Sequence, residues 1–255
     1  MTDTTVPSVV LRARGTHAPA GPAGAIVRLA ECVVDAGGLP LRLVQGHPDT
    51  RLRRPVQRLV KDLLDPPIAV LLLLLCALPM LIVALLIKTV SPGPIFFSQI
   101  REGRDQRPFR LWKFRTMHVR CCDASGIEQT IAGDPRLFPG ARFLRRTNLD
   151  ELPQLFNVML GEMSLVGPRP HPCNMLAGST RYDRLVPHYH DRTAVKPGLT
   201  GWAQCHALRG PTDRPDAAVA RIEHDFAYIQ NFSLLLDLRI IWLTIRQEIS
   251  GGTGT

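Results

Sequence analysis

"PPIAVLLLLLCALPMLIVALLI", residues 66–87, runs for 22 residues without a formal charge. An apolar helix of that length can cross a hydrocarbon core. Two features argue against a plain span. Pro79 sits near the middle of the run, where it removes a backbone donor and crowds the carbonyl four residues earlier, so a kink is predicted. Basic residues flank both ends: Arg51, Arg53, Arg54, Arg58 and Lys61 before the run, Lys88, Arg101 and Arg104 after it. Positive charge favours the cytoplasmic side, so both ends are predicted to lie on one face. A proline-broken, re-entrant membrane helix meets both conditions. A single kinked span is the alternative, since proline is tolerated in spanning helices.

Working outward, residues 1–50 are rich in Ala, Pro, Gly and Thr and read as a flexible tail, with "AIVRLAECVV" as a short helical candidate. The extreme N-terminus has no basic stretch followed by an apolar run, so no signal peptide is read. Residues 51–90 form a basic interfacial segment leading into the re-entrant helix. Residues 91–250 read as one cytoplasmic domain, and 251–255 ("GGTGT") as a flexible tail. Within the domain, "SPGPIFFSQIREGRDQRPFRLWKFRTM" reads as two short strands around a basic loop. "KPGLTGWAQCHALRG" reads as an ordered Gly/Pro loop, followed by helical stretches from about Asp216 to Ile229 and through "FSLLLDLRIIWLTIRQEI". The fold class is α+β and mainly helical, with interfacial amphipathic helices.

Lys and Arg number 31 against 22 Asp and Glu, a net charge of +9 that suits an anionic partner. Nucleic acid is disfavoured, because the basic residues bracket an apolar run and no nucleic-acid motif is present. The six cysteines are scattered without CxxC spacing, so neither zinc nor a disulfide framework is read. The four histidines near turns, His171, His188, His190 and His206, are assigned no role.

One stretch concentrates the chemistry. In "NLDELPQLFNVMLGEMSLVGPRP", residues 148–170, Asp150 and Glu151 precede a proline and a helical spacing at Leu152, Leu155, Phe156 and Met159. With Asp150 at the N-cap, Pro153 falls in the first turn, where its missing N–H costs nothing. The pair then stabilises a helix start by about 1 kcal/mol and does no more. The same geometry also suits a site. A helix N-terminus beside Arg142, Arg145 and Arg146 attracts anions. Positive surroundings keep a carboxylate ionised, and an ionised aspartate needs no base to act as a nucleophile. Its neighbour is a hard-oxygen ligand for Mg²⁺. Both readings stay open on the local pattern.

Four segments in order, "GPIFFSQIREG", "KFRTM", "FLRRTNLDELPQLFNVMLGEMSLVGPRP" and "VKPGLTGWAQ", together with the broken apolar helix and the closing "NFSLLLDLRIIWLTI", resemble the bacterial sugar transferase family. These are monotopic phosphoglycosyl transferases, and the resemblance covers roughly residues 56–249. It implies that 91–250 is a catalytic domain at the cytoplasmic face of the bacterial inner membrane. Asp150 is implied to attack the β-phosphate of a UDP-sugar, releasing UMP and leaving a covalent aspartyl phosphosugar. Polyprenyl (undecaprenyl) phosphate then takes the phosphosugar, the first membrane step of exopolysaccharide or capsule synthesis. Glu151 is implied to act in catalysis and to hold Mg²⁺. Arg145 and Arg169 are implied to bind phosphate, with Lys113 and Arg115 as further basic candidates. Where relatives commonly break the helix at Ser-Pro, this chain has Leu78-Pro79. "LRGPTD" resembles members that transfer glucose 1-phosphate or galactose 1-phosphate, favouring a hexose over an N-acetylated or diamino sugar. Trp242 and the C-terminal apolar helix suit either a homodimer or membrane lipid. The different-class alternative is a membrane-anchored scaffold whose Asp-Glu pair is only a cap.

Overall fold

The computed structural model describes residues 54–121, 133–206, 208, 210 and 214–249. The expected tails at 1–50 and 251–255, and the short helix within "AIVRLAECVV", lie outside the described residues. Those described form a mixed fold, mainly helical.

The basic segment and the first half of the apolar run are one helix, α1 (Pro55–Leu75), and the second half is α2 (Ala77–Val90). The two are bent by 61° at Cys76, and no single helix among the described residues is long and apolar enough to cross a membrane. The bend falls in the turn just ahead of Pro79, whose ring crowds the carbonyl four residues earlier, where the kink is predicted. The reason is local: an α-helix has four N–H groups without intrahelical partners at its start, so Pro79 is tolerated inside the first turn of α2, and the chain breaks just ahead of it. The Cys76 amide still bonds back to Leu72 O (2.8 Å), and Met80 N reaches Cys76 O (2.9 Å).

Strands β1 (Phe96–Glu102) and β2 (Pro108–Phe114) form an antiparallel hairpin, in register from Phe96↔Phe114 to Glu102↔Pro108. Helix α3 (Ala141–Arg146), a 3₁₀ turn (Leu149–Glu151) and α4 (Gln154–Met159) follow. Next come β3 (Ser164–Val166), a small hairpin of β4 (Leu176–Ala177) and β5 (Thr180–Arg181), α5 (Tyr182–Leu185) and a 3₁₀ segment (Tyr189–Ala194). Strand β6 (Gly198–Thr200) pairs in parallel with β3, and α6 (Trp202–Cys205), α7 (Pro215–Asn231) and α8 (Leu234–Ile249) complete the order.

Two apolar clusters hold these elements. In the larger, Ala69 of α1, Leu111, Leu155, Val158, Trp202, Ile222 and Ile240 pack together; in the smaller, Val83 and Ile87 of α2 meet Phe114, Phe138 and Leu144. Each half of the bent pair therefore docks on a different patch, while Leu71, Leu74, Leu75, Leu78, Leu81 and Leu85 stay between 55% and 70% exposed. A polar cluster ties α1 to the rest. Ser164 Oγ donates to Asp65 Oδ2, Lys61 Nζ donates to Asp237 Oδ2 at 2.7 Å, and Tyr228 OH donates to Asp237 Oδ1 at 2.8 Å. Lys61, read from the sequence as part of a flanking basic run, is thus committed to a buried ion pair.

Glycines explain why "GPRP" and "KPGLTG" occur together. A Cβ on Gly198 would lie 2.1 Å from Gly167 N, and one on Gly201 would lie 2.2 Å from Gly167 O. Both neighbours are backbone and cannot yield. Gly198→Ala is expected to cost about 3 kcal/mol or more, which a thermal melt reads as a fall of roughly 6–12 °C.

Candidate active site

The close β3–β6 pairing sets the turn that follows β3, and this turn aims Arg169 at the Asp150–Glu151 pair. The pair does not sit where the sequence reading put it. Asp150 is not an N-cap: it lies in the 3₁₀ turn entered through Asn148 at φ 53°, and Pro153 occupies the N-cap of α4. With six residues, α4 is too short to offer an anion-binding N-terminus, so side-chain cations rather than a helix dipole must receive an anion.

Those cations are present. Lys113, near the end of β2, donates from Nζ to Glu151 Oε1 at 2.7 Å. Arg169 grips the same carboxylate through two donors, Nη2 to Oε1 at 2.5 Å and Nη1 to Oε2 at 3.1 Å. Both carboxylates are buried, Asp150 to 7% and Glu151 to 8% exposure, yet their surroundings diverge. Arg169 and Lys113 overcome the burial of Glu151 and hold it well below the usual carboxylate range. Asp150 accepts no hydrogen bond among the described residues. Burial, helped by the charge of Glu151, outweighs Lys113, Arg145 and Arg169 and raises it to about 6. Positive surroundings therefore dominate at Glu151 and burial at Asp150, because only Glu151 is in contact with its cations.

Arg145, on α3, acts on Asp150 through its charge. Arg115 is placed elsewhere. It is 2% exposed, and its guanidinium donates to Pro94 O (2.7 Å), Ser91 Oγ (2.8 Å), Ser91 O (2.6 Å) and Met117 O (3.4 Å). Those bonds pin the start of β1 to the end of β2, so Arg115 is structural and not a phosphate ligand.

Two arginines absent from the sequence reading of the site support it. Arg192, itself in a buried ion pair with Asp225 (2.7 Å), donates to the backbone carbonyl of Arg169 at 2.6 Å. Arg101 donates to Pro170 O (3.3 Å) and to Gln99 Oε1, while its Nε is buried without a partner. Burial, then the charge of Arg169, lowers Arg101 to about 10. A basic residue in "IREG" was the only sequence signal for Arg101. Arg192 and Asp225 are 33 residues apart, beyond any local pattern.

For Mg²⁺ the donor set is small. Among the described residues no group of three or more His, Cys, Asp or Glu converges. Glu151 Oε1 already accepts two N–H donors and Oε2 one, so Oε2 keeps a free lone pair beside the unbonded Asp150 carboxylate. Such a pair fits an ion that draws its remaining ligands from substrate phosphates and water.

The arrangement is a buried, unpartnered carboxylate poised to ionise near neutral pH, beside a second carboxylate clamped by two cations. It is suited to an electrophile whose own negative charge the cations can mask. The family model described as "Bacterial sugar transferase" matches residues 56–251. An exopolysaccharide production protein PSS of Rhizobium leguminosarum bv. phaseoli is 52% identical over 182 residues, covering 71% of this chain and 91% of that protein. A UDP-glucose:undecaprenyl-phosphate glucose-1-phosphate transferase of Escherichia coli is 44% identical over 190 residues, 74% of this chain but 40% of the relative. A UDP-N-acetylgalactosamine-undecaprenyl-phosphate N-acetylgalactosaminephosphotransferase of Aeromonas hydrophila is 40% identical over 200 residues, 78% of this chain and 46% of the relative. The matched region thus spans nearly all of the Rhizobium relative and less than half of the other two.

Proposed function

Because the chain belongs to the bacterial sugar transferase family, we propose that it transfers a hexose 1-phosphate from a UDP-sugar to undecaprenyl phosphate, releasing UMP. Glucose is the first candidate, since the Escherichia coli relative is named for it; galactose follows, and the Aeromonas relative keeps an N-acetylated sugar as the alternative. The observation that carries the proposal is the contrast between the unbonded Asp150 and the clamped Glu151.

A carboxylate oxygen of Asp150 attacks the β-phosphorus of the UDP-sugar. The bond from that phosphorus to the bridging oxygen breaks, the electron pair leaves with UMP, and an aspartyl phosphosugar remains. An oxygen of undecaprenyl phosphate then attacks the same phosphorus, the Asp150–phosphorus bond breaks, and the carboxylate is regenerated. Lys113 and Arg169 face the equatorial oxygens, where charge accumulates in phosphoryl transfer. Arg145 adds positive charge from α3. Arg192 and Arg101 hold the backbone that carries Arg169. Glu151 anchors Lys113 and Arg169 and, through Oε2, would hold Mg²⁺, which when bound would neutralise diphosphate charge.

Membrane attachment is supported by the 61° bend, the exposed leucines and the basic residues at both ends of the apolar run. Both ends would lie on the cytoplasmic face of the inner membrane, and the site would then lie at the level of the carrier lipid's phosphate. UMP release measured over a panel of UDP-sugars, with undecaprenyl phosphate and Mg²⁺, tests the proposal. It is expected to be greatest with a hexose and to vanish with EDTA; equal background with every donor contradicts it.

The pH profile is a second test. Asp150 must be ionised to attack, and at about 6 its ordinary state at pH 7 is roughly nine-tenths charged. The rate is expected to fall tenfold per pH unit below about 6, rather than holding to pH 4 as for an ordinary aspartate.

A further inference from the structure

The first turns of α1, the end of α7 and the loop before β6 border an open cavity of about 210 Å³, whose lining includes none of Lys113, Asp150, Glu151 or Arg169. Arg58, Lys61, Arg104 and Lys196 contribute to its wall, alongside apolar surface from Leu59 and Phe232. Asp62, the one carboxylate of the wall, is held by Lys196 at 2.9 Å and Arg104 at 3.9 Å, and Lys61 is paired with Asp237 outside the lining. Arg58 is left over. Its guanidinium lies 5.0 Å over the Phe232 ring, which orients its plane, and its Nε and Nη2 are buried without a hydrogen-bond partner.

Phe232 fixes the plane of the half-buried Arg58 guanidinium in the cavity wall, and a guanidinium is well matched to phosphate oxygens. The surroundings select the kind of anion. Val56, Leu59 and Leu63 are exposed along α1, as are Leu235 and Leu238 on α8. The starts of the two helices adjoin, since Leu234 N donates to Gln57 Oε1 at 3.3 Å. A cationic cavity beside exposed aliphatic surface on two helices suits an amphiphile better than a free ion.

We propose that this cavity binds the headgroup phosphate of an anionic phospholipid, with Arg58, Arg104 and Lys196 supplying the positive charge that receives it. The assignment rests on the membrane attachment proposed above and is independent of the transfer chemistry. The bound lipid would fix the start of α1 at headgroup depth, upstream of the apolar run.

The test uses the full chain in detergent with equal phosphatidylglycerol and phosphatidylcholine, and reads retained lipid by native mass spectrometry. Wild type is expected to retain phosphatidylglycerol about tenfold over phosphatidylcholine, the size of effect of a charge-assisted pair. Arg58→Gln is expected to lose that preference. Arg104→Gln, whose side chain is 42% exposed and so tolerant of change, is expected to weaken it a few-fold. Equal retention of both lipids by wild type overturns the proposal, as does an undiminished preference in a folded Arg58→Gln. Displacement of the lipid by millimolar inorganic phosphate would mean a soluble-anion site and overturns the lipid assignment. Flotation on phosphatidylcholine vesicles separates the two readings: a wild type that does not float refutes membrane attachment and this proposal together, whereas one that floats without lipid preference refutes only the latter.

Discussion

Asp150→Asn is expected to abolish UMP release, by at least about three orders of magnitude, while raising the melting temperature at neutral pH. The two effects share one cause. Asp150 is buried without a hydrogen bond, and its carboxyl stands at about 6 rather than 3.8. A group raised in the folded state favours folding when protonated. That contribution is fully present below pH 3.8 and is lost as pH rises through about 6. At pH 7 the wild type therefore carries a buried charge whose cost, at about 1.4 kcal/mol per pK unit, is about 3 kcal/mol. Asparagine keeps the shape and removes the charge. Melts of the two proteins across pH should differ most above pH 6 and converge in acid. A structural cap would behave in the opposite way: activity would survive, and stability would fall by about 1 kcal/mol.

Glu151→Gln is expected to produce the reverse stability effect. Here the carboxyl lies well below 4.5, so its contribution is present above that value and is lost as pH falls through the lower, folded value. Removing the charge leaves Lys113 and Arg169 near the site without their counter-ion, and breaking one side of a buried ion pair costs about 3–5 kcal/mol. A fall of about 10 °C or more in the melting temperature should accompany a large loss of rate. The residual activity carries a finer signature. The Glu151 charge is one of the influences raising Asp150, and the freed cations would turn towards it. The acid limb of the rate profile should therefore move below pH 6. A variant with wild-type stability and an unmoved limb would show that Glu151 does not clamp the two cations.

Much of this site was legible in the sequence because it lies in short, charged motifs. Asp150, Glu151 and Arg169 fall within one stretch of residues 148–170, and Lys113 in "KFRTM" could be paired with it through the family resemblance. What escaped was governed by backbone detail. Lys113 and Arg115 share strand parity, yet β2 ends at Phe114, so Arg115 leaves the alternation and turns to Ser91 and Pro94. Pro79 signalled the break, and the bend at Cys76 lies in the turn that its ring disrupts, although the sequence did not specify the residue at which the helices part. Asp150 could be read as a cap only while α4 was thought to start earlier than Gln154. The Arg192–Asp225 pair that holds the Arg169 carbonyl joins a 3₁₀ segment to α7, a contact made by tertiary packing alone. The setting of Arg58 over Phe232, in one cavity wall with Lys196, is likewise made by tertiary packing.

The central claim is that Asp150 carries the phosphosugar between two substrates. Incubating the full chain with UDP-glucose and Mg²⁺, without undecaprenyl phosphate, and measuring intact mass tests it directly. The expected result is one equivalent of UMP released per active site and a protein heavier by one hexose phosphate. The adduct should map to Asp150, be absent in Asp150→Asn, and be discharged when undecaprenyl phosphate is added. An enzyme proven to turn over with both substrates, yet releasing no UMP and gaining no mass without the acceptor, would contradict the account and require direct transfer between the two bound phosphates.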